Sequence, residues 1–196
     1  ESEKMSLLLS LKNASKTLFQ LLENLLTWSR SQRGVIKYDP EIISPDLIVH
    51  ACNSLLKMNA DNKHIRINQR IDKGLQIKVD ATMITTVLRN IISNAIKFTK
   101  SGGLIEIDVT EDISRPGFCR FSVRDNGVGI PQKDMSRLFT MDSTYTTLGT
   151  NDEMGSGLGL ILCREFIDKH NCEIWAESAS GIGSTFYFTV PIAELQ

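Results

Sequence analysis

No apolar run in this 196-residue chain approaches the roughly 20 residues needed to span a bilayer. The leucine-rich opening is interrupted by Lys12, Lys16 and Glu23, and it lacks the layout of a secretory signal. Net charge is low: 22 basic and 23 acidic residues leave −1, so there is no bulk attraction to nucleic acid or to an anionic membrane. Cysteine is scarce. Cys52, Cys119, Cys163 and Cys172 form no CxxC pair, which points to reduced thiols in a cytosolic protein rather than a disulfide framework or metal site. There is no internal repeat and no low-complexity segment. What is present suffices for a full core: 41% of residues are hydrophobic, and the length allows one domain plus an appendage. The chain opens inside a helical pattern, which predicts a fragment of something longer.

The opening pattern is a heptad seam. Leu7, Leu11, Ala14, Leu18, Leu21, Leu25 and Trp28 follow one another in alternating steps of four and three. Leu8, Phe19, Leu22 and Leu26 widen the stripe, which suits a helix bundle and calls for a partner: another copy, a missing helix, or both. Gly34 is placed to end the helix. Val35–Ile43 reads as extended. Ser44-Pro45-Asp46 reads as a helix start, with Leu47, Ile48, Ala51, Leu55 and Met58 expected along one face. Strands follow at Ile65–Ile71 and Leu75–Val79, with a turn at Asp72-Lys73-Gly74 between them. Asp80 can cap a helix running to about Phe98. Strands near Leu104–Thr110 and Phe118–Arg124 come next. A short helix is expected around Lys133–Phe139, a longer one from Leu158 to about His170, and two last strands at Glu173–Glu177 and Ser184–Val190. This order predicts an α/β protein, a two-layer sandwich of three main helices on one face of a mixed sheet.

Four polar or glycine-rich clusters recur in fixed order along this plan. Asn90, Asn94 and Lys97 lie at spacings of four and three and share one helix face, opposite Val87, Leu88, Ile91, Ile92, Ala95 and Ile96. An amide oxygen is a hard ligand suited to Mg²⁺, and a lysine one turn on can offset phosphate charge. On spacing alone, a solvated polar face is the better explanation of these three residues. Asp125-Asn126-Gly127-Val128-Gly129-Ile130 sits where a strand ends. Its carboxylate can accept from an exocyclic amine such as adenine N6, and Gly127 and Gly129 allow close approach to a flat ring. Gly155, Gly157 and Gly159 precede a helix whose free N–H groups suit phosphate. The last cluster is Gly181-Ile182-Gly183-Ser184-Thr185. No Gly-Lys-Ser/Thr follows the second glycine set, which excludes a P-loop. No βαβ unit with an acid about 20 residues on surrounds it, which argues against a dinucleotide fold.

Taken together, the clusters resemble the N box (Asn90–Lys97) and the three glycine boxes (Asp125–Ile130, Gly155–Leu160, Gly181–Thr185) of the sensor histidine kinase catalytic domain, the GHKL or Bergerat ATP-binding fold. The resemblance covers about Pro45 to Pro191. Leu25-Leu26-Thr27-Trp28-Ser29-Arg30, ahead of Gly34, resembles the second helix of the dimerisation and histidine-phosphotransfer hairpin. The implied division is residues 1–34 for that incomplete hairpin and 35–196 for the ATP-binding domain. The resemblance implies ATP with its adenine on Asp125, Mg²⁺ on Asn94, Asn90 and Lys97 near the phosphates, and Thr185 near the adenine. Gly127, Gly129, Gly155, Gly157, Leu158 and Gly159 complete the implied nucleotide site. The stretch from about Phe139 to Met154 would be the ATP lid, with Phe139 at the F-box phenylalanine and Thr140–Tyr145 departing from that box.

The family's acceptor histidine, which an acid follows, is absent. His50, His64 and His170 lie off the heptad helix and none precedes Asp or Glu, so the acceptor is expected upstream of Glu1. The fold's hydrolases, by the same resemblance, carry a glutamate in the N box as general base. Asn90 in that place implies slow attack by water. The implied function is transfer of the ATP γ-phosphoryl group to a histidine and onward to a response regulator aspartate. The alternatives are a nucleotide-binding regulatory module and an ATPase. Implied partners are a second copy, through the opening helix, and a receiver domain. The implied location is the cytosolic part of a membrane-anchored sensor, held to the membrane by segments outside this sequence.

Overall fold

The computed structural model describes residues 2–140, 147–151, 153 and 157–193, with side chains in the first 20 residues described at 4, 11, 15, 18 and 19. In chain order the elements are α1 (Ser2–Gln32), β1 (Glu41–Ile43), α2 (Pro45–Asn62), β2 (Arg66–Ile71), β3 (Ile77–Val79), α3 (Ala81–Phe98), β4 (Leu104–Glu111), β5 (Phe118–Asp125), α4 (Gln132–Met135), α5 (Gly159–Lys169), β6 (Ile174–Ala179) and β7 (Gly183–Pro191). Five strands form one sheet in the order β2-β4-β5-β7-β6. β2 runs parallel to β4 and the other neighbours are antiparallel. The inner face carries Ile105, Ile107 and Val109 of β4, Cys119, Phe121 and Val123 of β5, and Phe186, Phe188 and Val190 of β7, all buried at period two. α2, α3 and α5 cover that face, giving the expected two-layer α/β sandwich. Phe121 stacks on Phe188 at 4.6 Å between ring centres in the middle of the core. All four cysteines are buried and unbridged. Among the described residues no helix is long and apolar enough to cross a membrane.

The turn at Asp72–Gly74 does not close a hairpin. β3 pairs instead with β1 in a separate two-stranded sheet, and β2 takes β4 as its neighbour. The inward face of α2 also differs from expectation. Ile48, Val49, Cys52, Leu56 and Ala60 are buried, whereas Leu47, Leu55 and Met58 are 62–73% exposed. Both stripes have four-residue steps, and the sheet takes the one containing Ile48, Cys52, Leu56 and Ala60. α4 is a single turn, shorter than the pattern suggested, although Leu138 and Phe139 beyond it still pack on the core. α1 ends as expected at Gly34, with φ +68° and a hydrogen bond from Val35 N–H to the Arg30 carbonyl (3.0 Å). Trp28 packs against the core, and Ser31 Oγ (3.0 Å) and Gln32 Nε2 (2.9 Å) donate to the Glu165 carboxylate of α5. Leu11, Leu18, Phe19, Leu22, Leu25 and Leu26 remain exposed.

α3 is the best-seated helix. Asp80 caps it, accepting from Met83 N–H at 3.0 Å, and eight of its residues, from Met83 to Ile96, are buried. Behind the cap lies His170, the residue after α5. Its Nε2 accepts the Asp80 N–H (3.1 Å), its Nδ1 lies 2.7 Å from the Phe166 carbonyl, and Tyr38 meets its ring edge-on at 4.9 Å. Those contacts suit a neutral ring with the proton on Nδ1, and burial pushes the imidazole pKa below its ordinary 6.5. The unfolded chain then takes up the proton first as pH falls. The contribution of His170 to stability is therefore complete above about pH 6.5 and declines below it, through the window down to the depressed folded value. Urea unfolding between pH 5 and 8 should show this decline in the wild-type chain. His170→Leu, which can neither titrate nor accept a hydrogen bond, should remove that part of the slope and cost about 1–3 kcal/mol at neutral pH through the orphaned Asp80 N–H.

Candidate functional site

Asp125 continues the buried face of β5, one pleat beyond Val123, and only 5% of it is exposed. One carboxylate oxygen, Oδ1, accepts from Gly127 N–H (2.9 Å) and Ser184 N–H (3.3 Å). Burial raises the pKa of the acid, while these two donors oppose the rise. No hydrogen bond within the described chain occupies its second oxygen. The loop that follows is tied on both sides. Asn126 Oδ1 accepts Leu104 N–H at 2.8 Å, and Val128 N–H reaches the Phe98 carbonyl at the end of α3 (3.1 Å). Gly127 has ordinary φ, but a Cβ there would run into the Phe98 carbonyl. Gly129 has φ +68°, and a Cβ on it would strike the Ala179 carbonyl. These glycines therefore serve first to bring backbone against backbone.

The third glycine cluster is zipped onto the first. Gly181 N–H donates to the Val128 carbonyl (2.7 Å). Ser178 Oγ accepts from Ile130 N–H (2.8 Å) and lies 2.9 Å from Ser184 Oγ. A side chain at Gly183 would collide with the Asp125 carbonyl. Cross-strand register decides which residue of this cluster faces the site. Ser184 pairs with Asp125 and Ser178, whereas Thr185 pairs with Arg124 and Glu177 on the outer side of the sheet. Ser184 therefore shares the inner face with Asp125, and Thr185 lies on the opposite face. Counting back by twos from the buried Val190, Phe188 and Phe186 would have found Ser184.

On α3, Asn90, Asn94 and Lys97 share the half-buried face away from the core, as their spacing requires. The start of α5 lies over Asn90: a Cβ on Gly159 would sit 3.4 Å from Asn90 Oδ1. Asn90 Nδ2 is buried and meets no nitrogen or oxygen acceptor among the described residues; its side chain is turned to the buried Cys163 thiol of α5. Gly157 (φ +71°) and Leu158 lead into α5, with Leu158 at its N-cap. Gly155 and Ser156 lie outside the described residues, as do 141–146, 152 and 154 of the expected lid. Lys97 Nζ donates to the Thr147 carbonyl (2.9 Å) and lies 4.6 Å from the Phe98 ring centre. Burial lowers its pKa, with Glu153 opposing and Lys63 adding to the fall.

Two residues of this region gave no signal in the sequence. Lys63, buried in the turn after α2, places its ammonium 2.6 Å from the Glu153 carboxylate and against the last carbonyls of α3. A lone lysine in a turn has no pattern that marks it. Among the described residues no group of three His, Cys, Asp or Glu side chains could hold a metal ion. A metal here would need oxygens brought by its ligand. The N-terminus of an 11-residue helix and a buried carboxylate oriented through one oxygen fit a purine nucleotide with its phosphates.

Residues 79–194 match the family model described as histidine kinase-, DNA gyrase B- and HSP90-like ATPase. The sensor histidine kinase WalK of Bacillus subtilis is 32% identical over 187 residues, covering 94% of this chain and 30% of that protein. The adaptive-response sensory kinase SasA of Crocosphaera subtropica is 31% identical over 186 residues, covering 92% of this chain and 47% of that one. The chain thus spans less than half the length of these two relatives. Among solved structures, a nucleotide-free catalytic domain of the histidine kinase ThkA superposes with a TM-score of 0.67 at 28% identity. It covers 78% of this chain and 95% of that one.

Proposed function

Because the chain belongs to the family of histidine kinase-, DNA gyrase B- and HSP90-like ATPases, we propose that it is the ATP-binding catalytic part of a sensor histidine kinase. In this reading it passes the γ-phosphoryl group of ATP to a histidine of its own hairpin, from which a response regulator aspartate takes it. One observation carries the nucleotide part: Asp125, buried at a strand end, is held through Oδ1 by two backbone N–H groups while its other oxygen is left for an adenine amine. Residues 1–34 would supply the second hairpin helix and 35–196 the ATP domain. The exposed leucines of α1 are the surface through which a second copy would pair. The natural setting is the cytosolic part of a membrane-anchored sensor.

Asn90 would give up its contact with the Cys163 thiol to reach a phosphate oxygen or its water. Lys97 would exchange the Thr147 carbonyl for phosphate, gaining a charged partner in place of a neutral one. Gly157, Leu158 and Gly159 would offer backbone N–H groups at the start of α5, with Gly155 completing that cluster. Asn94 would hold Mg²⁺, which when bound supplies charge neutralisation across the phosphates. Asn90 cannot act as a general base, and that favours transfer to histidine over hydrolysis.

The test joins this chain to its upstream hairpin and supplies ATP labelled on the γ-phosphate. Acid-labile, base-stable label on the protein is the expected result. Release of free phosphate with no protein label would overturn transfer in favour of hydrolysis. Asn94→Ala should raise the Mg²⁺ concentration needed for half-maximal labelling about tenfold, the effect of losing one hard ligand worth about 1.4 kcal/mol. Unchanged Mg²⁺ dependence would remove Asn94 from the metal.

A further inference from the structure

Lys63 is 4% exposed, yet it carries an ammonium. A buried charge persists where its donors are all met. Nζ lies 2.9 Å from the Ile96 carbonyl, 2.9 Å from the Lys97 carbonyl, 2.8 Å from Thr150 Oγ1 and 2.6 Å from Glu153 Oε1. The two carbonyls belong to the last turn of α3, where helix oxygens lack partners and the dipole is negative. The backbone of Lys63 is equally fixed. Its N–H bonds back into α2, and its carbonyl accepts from Ser101 Oγ and Gly102 N–H, both at 2.9 Å. The ammonium is therefore held rigidly by two helices and a turn.

From that post the ammonium grips residues 147–151 and Glu153. Thr150 N–H donates to the Lys97 carbonyl (3.0 Å), and Thr150 Oγ1 lies 2.9 Å from the Thr99 carbonyl. Glu153 closes the segment on itself, accepting from Asn151 N–H at 2.8 Å while its carbonyl accepts from Gly149 N–H at 2.9 Å. The Lys97 ammonium meets the same segment at Thr147.

We propose that Lys63, acting through Thr150 and Glu153, is a positioning residue for nucleotide: it clamps residues 147–151 and Glu153 to the end of α3 and so fixes the Thr147 carbonyl that holds Lys97 until phosphate takes its place. The clamp stays closed on Thr150 and Glu153 when Lys97 leaves Thr147 for phosphate. One contact of the segment is exchanged and the others hold its register. The proposal rests on the nucleotide reading above.

The test measures two quantities on the whole chain and on its variants: affinity for a non-hydrolysable ATP analogue with Mg²⁺, and amide hydrogen exchange over 147–153 without nucleotide. Lys63→Met removes the post but endangers folding. Glu153→Gln and Thr150→Val leave the core intact and carry the decision. Each is expected to speed exchange in that segment and to weaken the analogue about two- to tenfold, the range for one lost hydrogen bond. Thr150→Ser, which keeps the hydroxyl, should restore both. A merely structural role would lower the melting temperature and leave affinity at 25 °C unchanged. Wild-type exchange and affinity in both variants would overturn the clamp. If the wild-type chain bound no analogue, the nucleotide reading would fail, and unchanged exchange over 147–153 would still overturn the clamp on its own.

Discussion

Asp125→Asn is expected to weaken binding of an ATP analogue about 10- to 100-fold while leaving the fold intact. The two atoms of the carboxylate have different duties. Oδ1 holds Gly127 N–H and Ser184 N–H, and an amide oxygen can take over both. The amide nitrogen must then stand where the second oxygen was, presenting a donor to the donor amine of adenine. Losing one hydrogen bond to a charged acceptor costs about 1.5–3 kcal/mol, which is the stated range in affinity. Guanine carries an oxygen where adenine carries that amine, so the variant should lose less for a GTP analogue than for ATP. Calorimetric titration with both analogues, beside a thermal melt of the free variant, decides the matter. A variant that melts normally and binds the ATP analogue as wild type would remove Asp125 from the adenine.

Gly129→Ala should be severely destabilising for a single added methyl. Gly129 adopts φ +68°, where an L-residue is disfavoured by roughly 1–2 kcal/mol. The larger part comes from the Ala179 carbonyl, which lies where the Cβ must go. That carbonyl cannot retreat without breaking its surroundings, because Gly181 N–H is bonded to Val128 and Ile130 N–H to Ser178 Oγ. A loss of about 3–5 kcal/mol follows, and the melting temperature should fall by about 10 °C. Gly74→Ala is the control. Gly74 has φ +82° with nothing within 4 Å of its Cβ position, so it should cost about 1 kcal/mol through conformation alone. Denaturant unfolding of the two variants separates the terms. Equal losses would mean that the first and third glycine clusters are not pressed together as described.

The helices and the order of the four clusters could be read from the sequence because their causes are local. Asp80 caps the helix it precedes, Gly34 ends the one it follows, and steps of three and four put Asn90, Asn94 and Lys97 on one face wherever that helix sits. The glycine clusters were legible for the same reason, since Gly129, Gly157, Gly181 and Gly183 hold a positive φ that glycine adopts without strain. The purpose of Gly127 and Gly129 was not, because the carbonyls that exclude a side chain come from Phe98 and Ala179, far off in sequence.

Local pattern settled where the helices and main strands fall and the order in which the four polar and glycine-rich clusters follow one another. Tertiary structure alone decided the choices between equally good local patterns. α2 offers two apolar stripes, and contact with the sheet, not periodicity, buries Ile48, Cys52 and Leu56 and leaves Leu47, Leu55 and Met58 in water. β7 offers Ser184 and Thr185, and pairing with Asp125 turns Ser184 to the site. Lys63 and Glu153 stand far apart in the chain and mean nothing until α3 brings its carbonyls between them. In each case the deciding energy lies in contacts between distant segments, which no local pattern encodes.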